Sequence, residues 1–542
     1  MRVDGKPQGL RQSMAWLHTW SGLLLGWLLY AIFFTGTLSY FVDEINDWMR
    51  PELHRSTRSD QAVELALQRM EKLAPGATQW TLDLPGARHV AVEASWRMPG
   101  APPGRQGVQH ADIDAATGRV LHPRETAGGN FLYRFHFQLY AIPRTWGQWI
   151  VGTATMFMLV AILSGVITHK KIFAEFFTFR PGKGQRSWLD AHNMMAVLAL
   201  PFHLTITFSG LLLLMSVIMP WGAQTLYGDG AERFATAFRI GTLGERPPAP
   251  HGGRSEPTEH PPIAPLLAQA QRVWPERGAG RLTIIAPGTS QAVIELREQG
   301  SNTLTERESN ERLRFDGTTG APLTQETPQP STPVMSIYNV MRNAHVGRFA
   351  DPVLRWLLFL SGVVGTAMAA AGMVLWVIKR RPQRPASGRI PVGHRFVEIM
   401  NVAAIAGLPV ATAVYFWSNR LIPLDMAGRA PAEIHCFFWA WGVCLVHAAW
   451  RPYRLAWREQ MTLSALAFSL LPVLNWLTGG TPLATAIARE QWSVAGFDLA
   501  ALSLAAIQGY IAQRLYRARA RSLHPARDVS AGRTTSSEQV TQ

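Results

Sequence analysis

Six histidines lie at the ends or in the middle of apolar segments, where an ionisable side chain is costly and usually marks a function. A neutral imidazole is also the side chain of this kind that best suits a metal ion. The set is drawn from sixteen histidines in all and consists of His18, His136, His169, His192, His203 and His345.

The cysteine content excludes sulfur-based redox centres. Only Cys436 and Cys444 occur, both within one apolar segment, and the sequence has no CxxCH motif. It therefore offers neither a cysteine-ligated iron–sulfur cluster nor a covalently attached c-type haem. The commonest use of such histidines in a helical bundle is a haem iron held by two of them, and this is the chemistry that the set predicts.

A single histidine at a membrane interface is more often a hydrogen-bonding group than a ligand. Two features favour ligation here: the histidines recur at matching positions of an internal repeat, and they divide into a cytoplasmic and a periplasmic group. His192 and His203 are eleven residues apart, so a continuous helix would project both from one face about 16 Å apart. Gly22 and Gly26 follow His18 at helical spacing and leave room for a flat macrocycle, although small residues equally permit close helix packing.

The remaining histidines are predicted to be structural or solvated. Three of them, in the second half of the chain, lack repeat partners and are assigned structural roles: His394, His435 and His447. The others lie in loops or the tail and are expected to be solvated: His54, His89, His110, His122, His251, His260 and His524.

The composition indicates a mainly α, polytopic membrane protein. Of 542 residues, 47% are hydrophobic and only 16% are charged, which is too apolar for a soluble chain of this length. The first apolar segment is expected to remain as an anchor, because it is long enough to span and lacks a small-residue cleavage site. Eight transmembrane helices are predicted, near residues 14–42, 147–168, 189–219, 353–378, 396–417, 432–450, 461–478 and 494–513.

Basic residues beside the spans set the predicted orientation. The net charge of +15 gives no support to nucleic-acid binding, because the basic residues cluster in short segments next to apolar runs. Segments 169–187 and 379–395, a loop near Arg451 and the tail after residue 513 carry the excess and are therefore predicted to be cytoplasmic. Both termini then face the cytoplasm of a bacterial cell, and the protein lies in its inner membrane in contact with lipid.

Two long polar segments, 43–146 and 220–352, fall on the periplasmic side. Each contains a strand-turn-strand pattern with the turn residues Asp-x-x-Thr-Gly, namely ADIDAATGRVL and LRFDGTTGAPL. The flanking spans also align: TGTL at Thr35 matches SGLL at Ser209, and SGVITHKK at Ser164 matches the run ending in IKRR. The first four spans are thus predicted to be two copies of span, periplasmic domain, span.

The repeat favours two histidine pairs without deciding between alternatives. The first alignment carries His18 onto His192, and the second carries His136 to within one residue of His345. These are the favoured inner and outer pairs, while His169 and His203 could replace members of them or hold a third haem. Arginines near the outer histidines could pair with haem propionates or an anionic ligand, or could be ordinary interfacial anchors: Arg134, Arg144, Arg342 and Arg348.

Four stretches resemble the PepSY-associated transmembrane helix family, which includes iron-regulated, siderophore-reducing inner-membrane proteins. They are WLHTWSGLLLGWLLYAIFFTGTLSYFVDEI, FLYRFHFQLYAIPRTWGQWIVG, HKKIFAEFFTFRPGKGQRSWLDAHN with LPFHLTITFSG, and AHVGRFADPVLRWLLFLSG. The resemblance covers roughly residues 10 to 380. It implies PepSY-like α+β domains in both periplasmic segments, two b-type haems held by the six histidines, and reduction of ferric siderophores at the periplasmic face. The four-span members of this family lack a counterpart of residues 394–515.

The expected organisation divides the chain into seven segments. They are the N-terminus with the first span (1–42), a PepSY-like domain (43–146), spans two and three (147–219), a second PepSY-like domain (220–352), span four with its loop (353–393), a four-span bundle (394–515) and a tail (516–542).

Electrons would come from quinol or a separate reductase, because no Gly-rich nucleotide-binding turn is present. The alternatives are a haem subunit for another periplasmic acceptor, a membrane-anchored PepSY module that inhibits a protease, and an iron or siderophore transporter. A transporter is less favoured, because the repeats share one orientation and the first four spans have no acidic residue away from their ends that could couple an ion.

Overall fold

The computed structural model describes residues 9–57, 59–86, 89–102, 104–169, 176–228, 260–300, 303–305, 312–323, 333–381 and 390–523. Lys170, Lys171, Glu175, Arg384 and Arg389, which contribute to the predicted cytoplasmic loops, and also His251 and His524, lie outside these residues.

The described chain is mainly helical. Helices α1–α10 are Leu10–Leu24, Gly26–Leu38, Val42–Trp48, Ala62–Leu73, Gly128–Gln138, Arg144–Thr168, Gln185–Leu198, Leu200–Leu213, Met215–Ile218 and Trp221–Tyr227. Helices α11–α20 are Ile263–Val273, Pro333–Val346, Pro352–Arg380, Val392–Asn401, Gly407–Leu421, Arg429–Trp450, Tyr453–Ser469, Leu471–Leu477, Leu483–Ala488 and Trp492–Leu523.

Among these residues, seven helical stretches are long and apolar enough to cross a membrane, and a bent pair raises the number to eight. The chain is therefore a multi-pass membrane protein with seven or eight candidate spans. The seven are Gly26–Trp48, Arg144–Thr168, Pro352–Arg380, Val392–Leu421, Arg429–Trp450, Tyr453–Leu477 and Trp492–Arg517, and the bent pair is α7 with α8.

The first and third predicted spans are interrupted at equivalent positions. The helix breaks at Leu25 (φ −112°, ψ 4°) and again at Ala199 (φ −108°, ψ 21°), which are 174 residues apart, the offset that separates His18 from His192. At the second break α7 and α8 meet at 67°, beside Pro201, which lacks a backbone N–H. The prediction that one straight helix carries His192 and His203 is therefore wrong.

The two polar segments that were predicted to be periplasmic contribute one antiparallel sheet in the order β4-β3-β2-β1-β5-β6-β7. Its central pairing joins β1 to β5, with Thr81 opposite Thr283. The strands are Gln79–Asp83, Val92–Arg97, Val108–Ile113, Val120–Leu121, Ala279–Ile285, Val293–Glu298 and Arg312–Asp316.

Both predicted strand-turn-strand patterns are present in this sheet. Asp114 accepts hydrogen bonds from the backbone N–H groups of Ala116 and Thr117 at 2.8 and 3.2 Å. Asp316 makes the equivalent turn, and hydrogen bonds from the side chain and backbone of Thr318 and Thr319 hold the pKa of its carboxyl well below the usual range. These turns fix the strand registers at the two ends of the sheet.

The two periplasmic segments were expected to fold as two small domains, but they share one core. Apolar residues of β1, β5 and the helices α4 and α11 pack together, among them Trp80, Leu82, Leu282 and Ile284. Because β1 and β5 are equivalent strands of the repeat and pair with each other, the two copies meet about an approximate twofold axis. Neither copy forms a separate sheet.

The last four spans pack against the first half of the repeat. Their apolar residues, such as Phe416 and Phe437, share a core with Tyr30, Trp48 and Phe131. In the most buried span, a π-helical turn at Val402–Ala406 precedes Pro409. Pro409 has no N–H to donate to the Ile405 carbonyl four residues earlier, and the Tyr30 hydroxyl donates to this carbonyl at 3.2 Å.

Candidate metal centre

Four of the six predicted histidines form two pairs. The imidazole rings of His18 on α1 and His192 on α7 have centroids 6.2 Å apart with an interplanar angle of 67°. Those of His136 on α5 and His345 on α12 have centroids 6.1 Å apart with an angle of 38°. We call them the inner and the outer pair. The structure thus brings together the two pairs that repeat symmetry favoured.

Each paired histidine hydrogen-bonds through Nδ1 to a neighbouring helix. His18 donates to the carbonyl of Ala161 at 2.8 Å, and His136 to that of Ile32 at 2.8 Å. For His192 the acceptor is the carbonyl of Met368 at 3.0 Å. Since a carbonyl can only accept, Nδ1 carries the proton in these three residues, and Nε2 is left as the nitrogen with a free lone pair.

His345 is held in the same way with one addition. Its Nδ1 lies 2.9 Å from the hydroxyl of Ser209, and the Ile206 carbonyl is a further hydrogen-bond partner. The Ser209 hydroxyl donates to the Thr205 carbonyl at 2.6 Å, so its oxygen accepts from the imidazole. All four rings are therefore fixed in orientation by groups outside the pair, as is usual for histidines that bind metals.

A glycine lies against each paired ring. An added Cβ would stand 2.6 Å from Cε1 of His136 at Gly36 and 3.1 Å from Cε1 of His18 at Gly165. The equivalent contacts are Gly210 with His345 at 3.2 Å and Gly372 with His192 at 3.1 Å. Each glycine comes four residues after the carbonyl that accepts from the same histidine, so its missing Cβ lets the ring lie flat on the helix and reach that carbonyl.

The repeat explains this arrangement. His18 and His136 are held by helices of the first copy, α6 and α2, whereas His192 and His345 are held by helices of the second copy, α13 and α8. Each copy therefore positions its own histidines, and each pair forms where the two copies meet. The approximate twofold axis thus relates the two histidines within each pair, which occupy equivalent positions of the two copies.

The residues of both pairs fit a haem iron. An iron between two imidazole nitrogens needs ring centres about 6 Å apart, because each metal–nitrogen bond is about 2 Å and each nitrogen lies about 1 Å from its ring centre. The observed separations of 6.2 and 6.1 Å meet this requirement. The glycines leave the neighbouring helix surface flat, and the hydrogen bonds at Nδ1 leave Nε2 available on every ring.

A cavity of about 350 Å³ adjoins the outer pair. Three of the four arginines that the sequence placed near this site line it, but Arg134 is not among its lining residues and is exposed. The lining also includes one arginine that sequence reasoning missed, Arg355, which pairs with Glu44 at 3.3 Å. The chemistry-bearing residues on the cavity wall are His136, His345, Arg144, Arg342, Arg348 and Arg355.

The other two predicted histidines are placed differently. His169 ends α6, and its Nε2 accepts from Nδ2 of Asn193 at 2.7 Å, next to His192 of the inner pair. His203 is 1% exposed between Phe33 and Gly365, and within the described chain its Nε2 has no hydrogen-bond partner. Neither faces another histidine at the spacing of the two pairs, and their ligation of haem stays a prediction.

His54, which was expected to be solvated, is 5% exposed. Its Nε2 lies 2.9 Å from the Asp47 carbonyl, and its Nδ1 lies 3.4 Å from the backbone N–H of Thr481. The expectation failed because the last four spans cover this segment, which a local polar pattern does not reveal. His110 and His122 are exposed, as predicted.

The glycine contacts were detectable in the sequence but were not recognised. Thr35-Gly36, Ser164-Gly165 and Ser209-Gly210 served as repeat markers, without being assigned to particular histidines. Gly22 and Gly26, which were predicted to leave room for a macrocycle beside His18, do not contact this histidine. Gly22 has no heavy atom within 4 Å of an added Cβ, and Gly26 faces Met373. The distinguishing signal is a small residue followed by glycine in the helix opposite each histidine.

The fold and the site together define a multi-pass membrane protein with two histidine pairs at the interface of an internal duplication. The sequence family described as the PepSY-associated TM region matches residues 15–379, and the chain belongs to this family. The match includes all six candidate histidines and ends before the last four spans. No curated protein matches the chain.

Proposed function

We propose that this protein is an electron carrier of a bacterial inner membrane that holds two b-type haems and reduces ferric siderophores at its periplasmic face. The observation that carries the proposal is the presence of two histidine pairs with the spacing of bis-imidazole iron ligation, one toward each end of the repeated helices. When bound, haem supplies reversible one-electron chemistry at each pair.

The separation of the pairs supports transfer across the membrane. Gly36, which contacts His136, comes eighteen positions after His18. In the second copy, Gly210, which contacts His345, likewise comes eighteen positions after His192. At 1.5 Å per residue this corresponds to at most about 27 Å of helix, close to the thickness of a bilayer core. An electron entering at the inner pair would thus leave at the outer pair, on the side of the sheet.

The chain's own residues would bind the haems, orient the imidazoles and keep water away from both pairs. The backbone carbonyls of Ala161, Ile32 and Met368 fix the imidazole orientation, and the apolar helices around the pairs exclude water. The arginines on the outer cavity wall favour an anionic group there, whether a haem propionate or an anionic chelate.

Reduction alone would release the metal. Siderophores hold Fe(III) through hard oxygen donors and hold the softer, less highly charged Fe(II) far more weakly. One electron per iron therefore labilises the complex, and the protein needs a docking surface for the chelate but no group that attacks it. The donor would be quinol or a separate reductase.

The first experiment is a reduced-minus-oxidised absorption spectrum of the purified protein with haem quantified per chain. Ferric siderophore is then added to the reduced sample in the presence of an Fe(II) indicator. A b-type spectrum near two haems per chain, reoxidised with stoichiometric formation of Fe(II), is the expected result. Reoxidation only by other acceptors would favour a haem subunit of a different pathway. Absence of haem would favour the membrane-anchored regulatory module.

A further inference from the structure

Helix α5, which carries His136, begins in a polar cluster built largely by the last four spans. The Thr126 hydroxyl donates to Oε2 of Glu433 at 2.6 Å and accepts from the backbone N–H of Gly128, the first residue of α5, at 3.0 Å. The Tyr415 hydroxyl donates to the Gly128 carbonyl at 2.8 Å. Thr126, which precedes the N-cap residue Ala127, thus accepts from the first N–H of α5 and ties the start of this helix to Glu433.

Glu433 is itself held in place. Its Oε1 accepts from Arg429 at 2.7 Å and from Nδ2 of Asn419 at 2.9 Å, and both charged side chains are fully buried. Arg429 also donates to the Glu125 carbonyl at 2.8 Å. A buried ion pair persists only when its hydrogen-bonding groups are largely satisfied, so this cluster has little freedom to move.

An aromatic contact fixes the side of α5 that faces the last four spans. The ring of Phe131 lies 5.2 Å from those of Tyr415 and Phe437, and Phe135 lies 6.2 Å from Phe437. His136 follows Phe135 directly and reaches the carbonyl of Ile32 on α2. α5 is therefore clamped between the last four spans and α2, with its histidine on the α2 side.

Among the described residues, the last four spans do not cover the first two turns of the equivalent helix of the second copy, α12. Val334 and Ile337 there are 72% and 64% exposed. Within this part of the chain, the last four spans therefore break the symmetry of the duplication at the outer pair, because they buttress the helix of His136 and do not buttress the start of the helix of His345.

We propose that the last four spans are a positioning device for His136, acting through the chain Arg429, Glu433 and Thr126 onto the start of α5. Thr126 and Glu433 are then positioning residues of the outer site, because they act on the imidazole through the helix. The part of this proposal that concerns haem rests on the proposed function, whereas the clamping of α5 does not.

The test compares Thr126→Val with Thr126→Ser in the full-length protein in lipid nanodiscs. Valine keeps the shape of the side chain but removes both hydrogen bonds, and serine keeps them. Amide hydrogen exchange over residues 129–138 is expected to be about tenfold faster in Thr126→Val and unchanged in Thr126→Ser, because the helix start loses a charge-assisted bond. Tyr415→Phe, which removes the bond to the Gly128 carbonyl and keeps the Thr126 hydroxyl, should change exchange in the same direction by a smaller factor.

The second readout is the electron paramagnetic resonance spectrum of the oxidised protein. Its low-spin signals depend on the angle between the two imidazole planes, which differs between the inner and outer pairs. Thr126→Val should shift the outer signal and leave the inner signal in place, which a general loss of stability would not do.

Unchanged exchange and an unchanged outer signal in Thr126→Val would overturn the proposal, as would equal shifts of both signals. If the parent protein contains no haem, the proposed function fails, and the exchange data alone then decide whether α5 is clamped. If Thr126→Val cannot be purified, the same two measurements on Tyr415→Phe decide the question.

Discussion

A glycine on the facing helix determines how closely each paired imidazole can approach its backbone acceptor. At Gly36 an added Cβ would stand 2.6 Å from His136, closer than real Cβ contacts allow, and the helix backbone and the carbonyl-bound ring leave little room to relax. Substitution to alanine would otherwise favour the helix by up to about 1 kcal/mol. A loss of haem binding in Gly36→Ala would therefore be a steric effect, because helix propensity by itself favours the substitution.

We accordingly expect Gly36→Ala to lose the outer haem and keep the inner one, as measured by haem per chain and by the reduced spectrum. Gly22→Ala is the matched control, since it has the same propensity gain and no heavy atom within 4 Å of its added Cβ. Full haem content in Gly36→Ala would show that the ring of His136 does not need this contact.

The histidines themselves provide a second test at this scale. His136→Ala and His345→Ala should each abolish binding of the outer haem, while His18→Ala and His192→Ala should abolish binding of the inner one. His122→Ala is the control, because His122 is exposed and lies outside the spans. His54→Ala is unsuitable as a control, since His54 is buried against the last four spans. Retention of both haems in the span variants would disprove the ligand assignment.

At the scale of elements, the decisive feature is the pairing of β1 with β5, which joins the two long polar segments in one sheet. Thr81 and Thr283 are direct partners across this pairing, and Ser95 lies opposite Thr81 on the other side, in β2. Adjacent strands are about 4.8 Å apart, so Ser95 and Thr283 are separated by about twice that distance. A disulfide cannot bridge Cα atoms more than about 7 Å apart without backbone movement.

Thr81→Cys with Thr283→Cys should therefore form a disulfide, detected by mass spectrometry of non-reduced peptides. Ser95→Cys with Thr283→Cys, in the same row of the same sheet, should remain reduced. Two independent periplasmic domains would give little cross-linking in either double variant, and that result would disprove the shared sheet.

The helix breaks at Leu25 and Ala199 belong to the same scale. They occur between the inner histidine and the glycine that contacts the outer one, so the helix is interrupted at the same position in each copy. This turn changes the direction in which His203 projects relative to His192. It explains why a spacing of eleven residues did not place those two side chains on one face.

At the scale of the whole molecule, the last four spans and the duplicated core form one body through buried polar contacts. Arg420, for example, stacks on Trp48 at 4.2 Å and donates to Asn475 at 2.8 Å, while Trp48 donates to Asp498 at 2.8 Å. Such contacts are expensive to break in an apolar environment, because each leaves an unpaired polar group. The appended spans are therefore integral to the fold.

The predicted orientation of the whole chain in the membrane, with both termini in the cytoplasm, can be tested with reporter fusions. A fluorescent protein fused after residue 542 should fluoresce in the cytoplasm, and alkaline phosphatase fused at the same place should be inactive. Alkaline phosphatase inserted at residue 100, in a segment predicted to be periplasmic, is the matched comparison and should be active. The reverse pattern would place the sheet in the cytoplasm and exclude delivery of electrons to a periplasmic chelate.

The sequence by itself determined the spans, the duplication and the favoured pairs of histidines, because all three leave local or periodic signals. Apolar runs report membrane crossing, and a constant offset of 174 residues carries His18 onto His192 and Thr35 onto Ser209. The Asp-x-x-Thr-Gly turns were equally local, since the Asp side chain bonds backbone groups two or three residues away.

Only the tertiary structure decided how the copies meet. The β1–β5 pairing, the covering of His54 and the clamping of α5 by Thr126 and Glu433 all join residues far apart in the chain, and no pattern within either segment encodes them. The glycines opposite the histidines lie between these cases: they are visible in the sequence, but which ring each one contacts depends on which helices are neighbours. That choice is made by the packing of the whole bundle, where each side chain must fit all its neighbours at once.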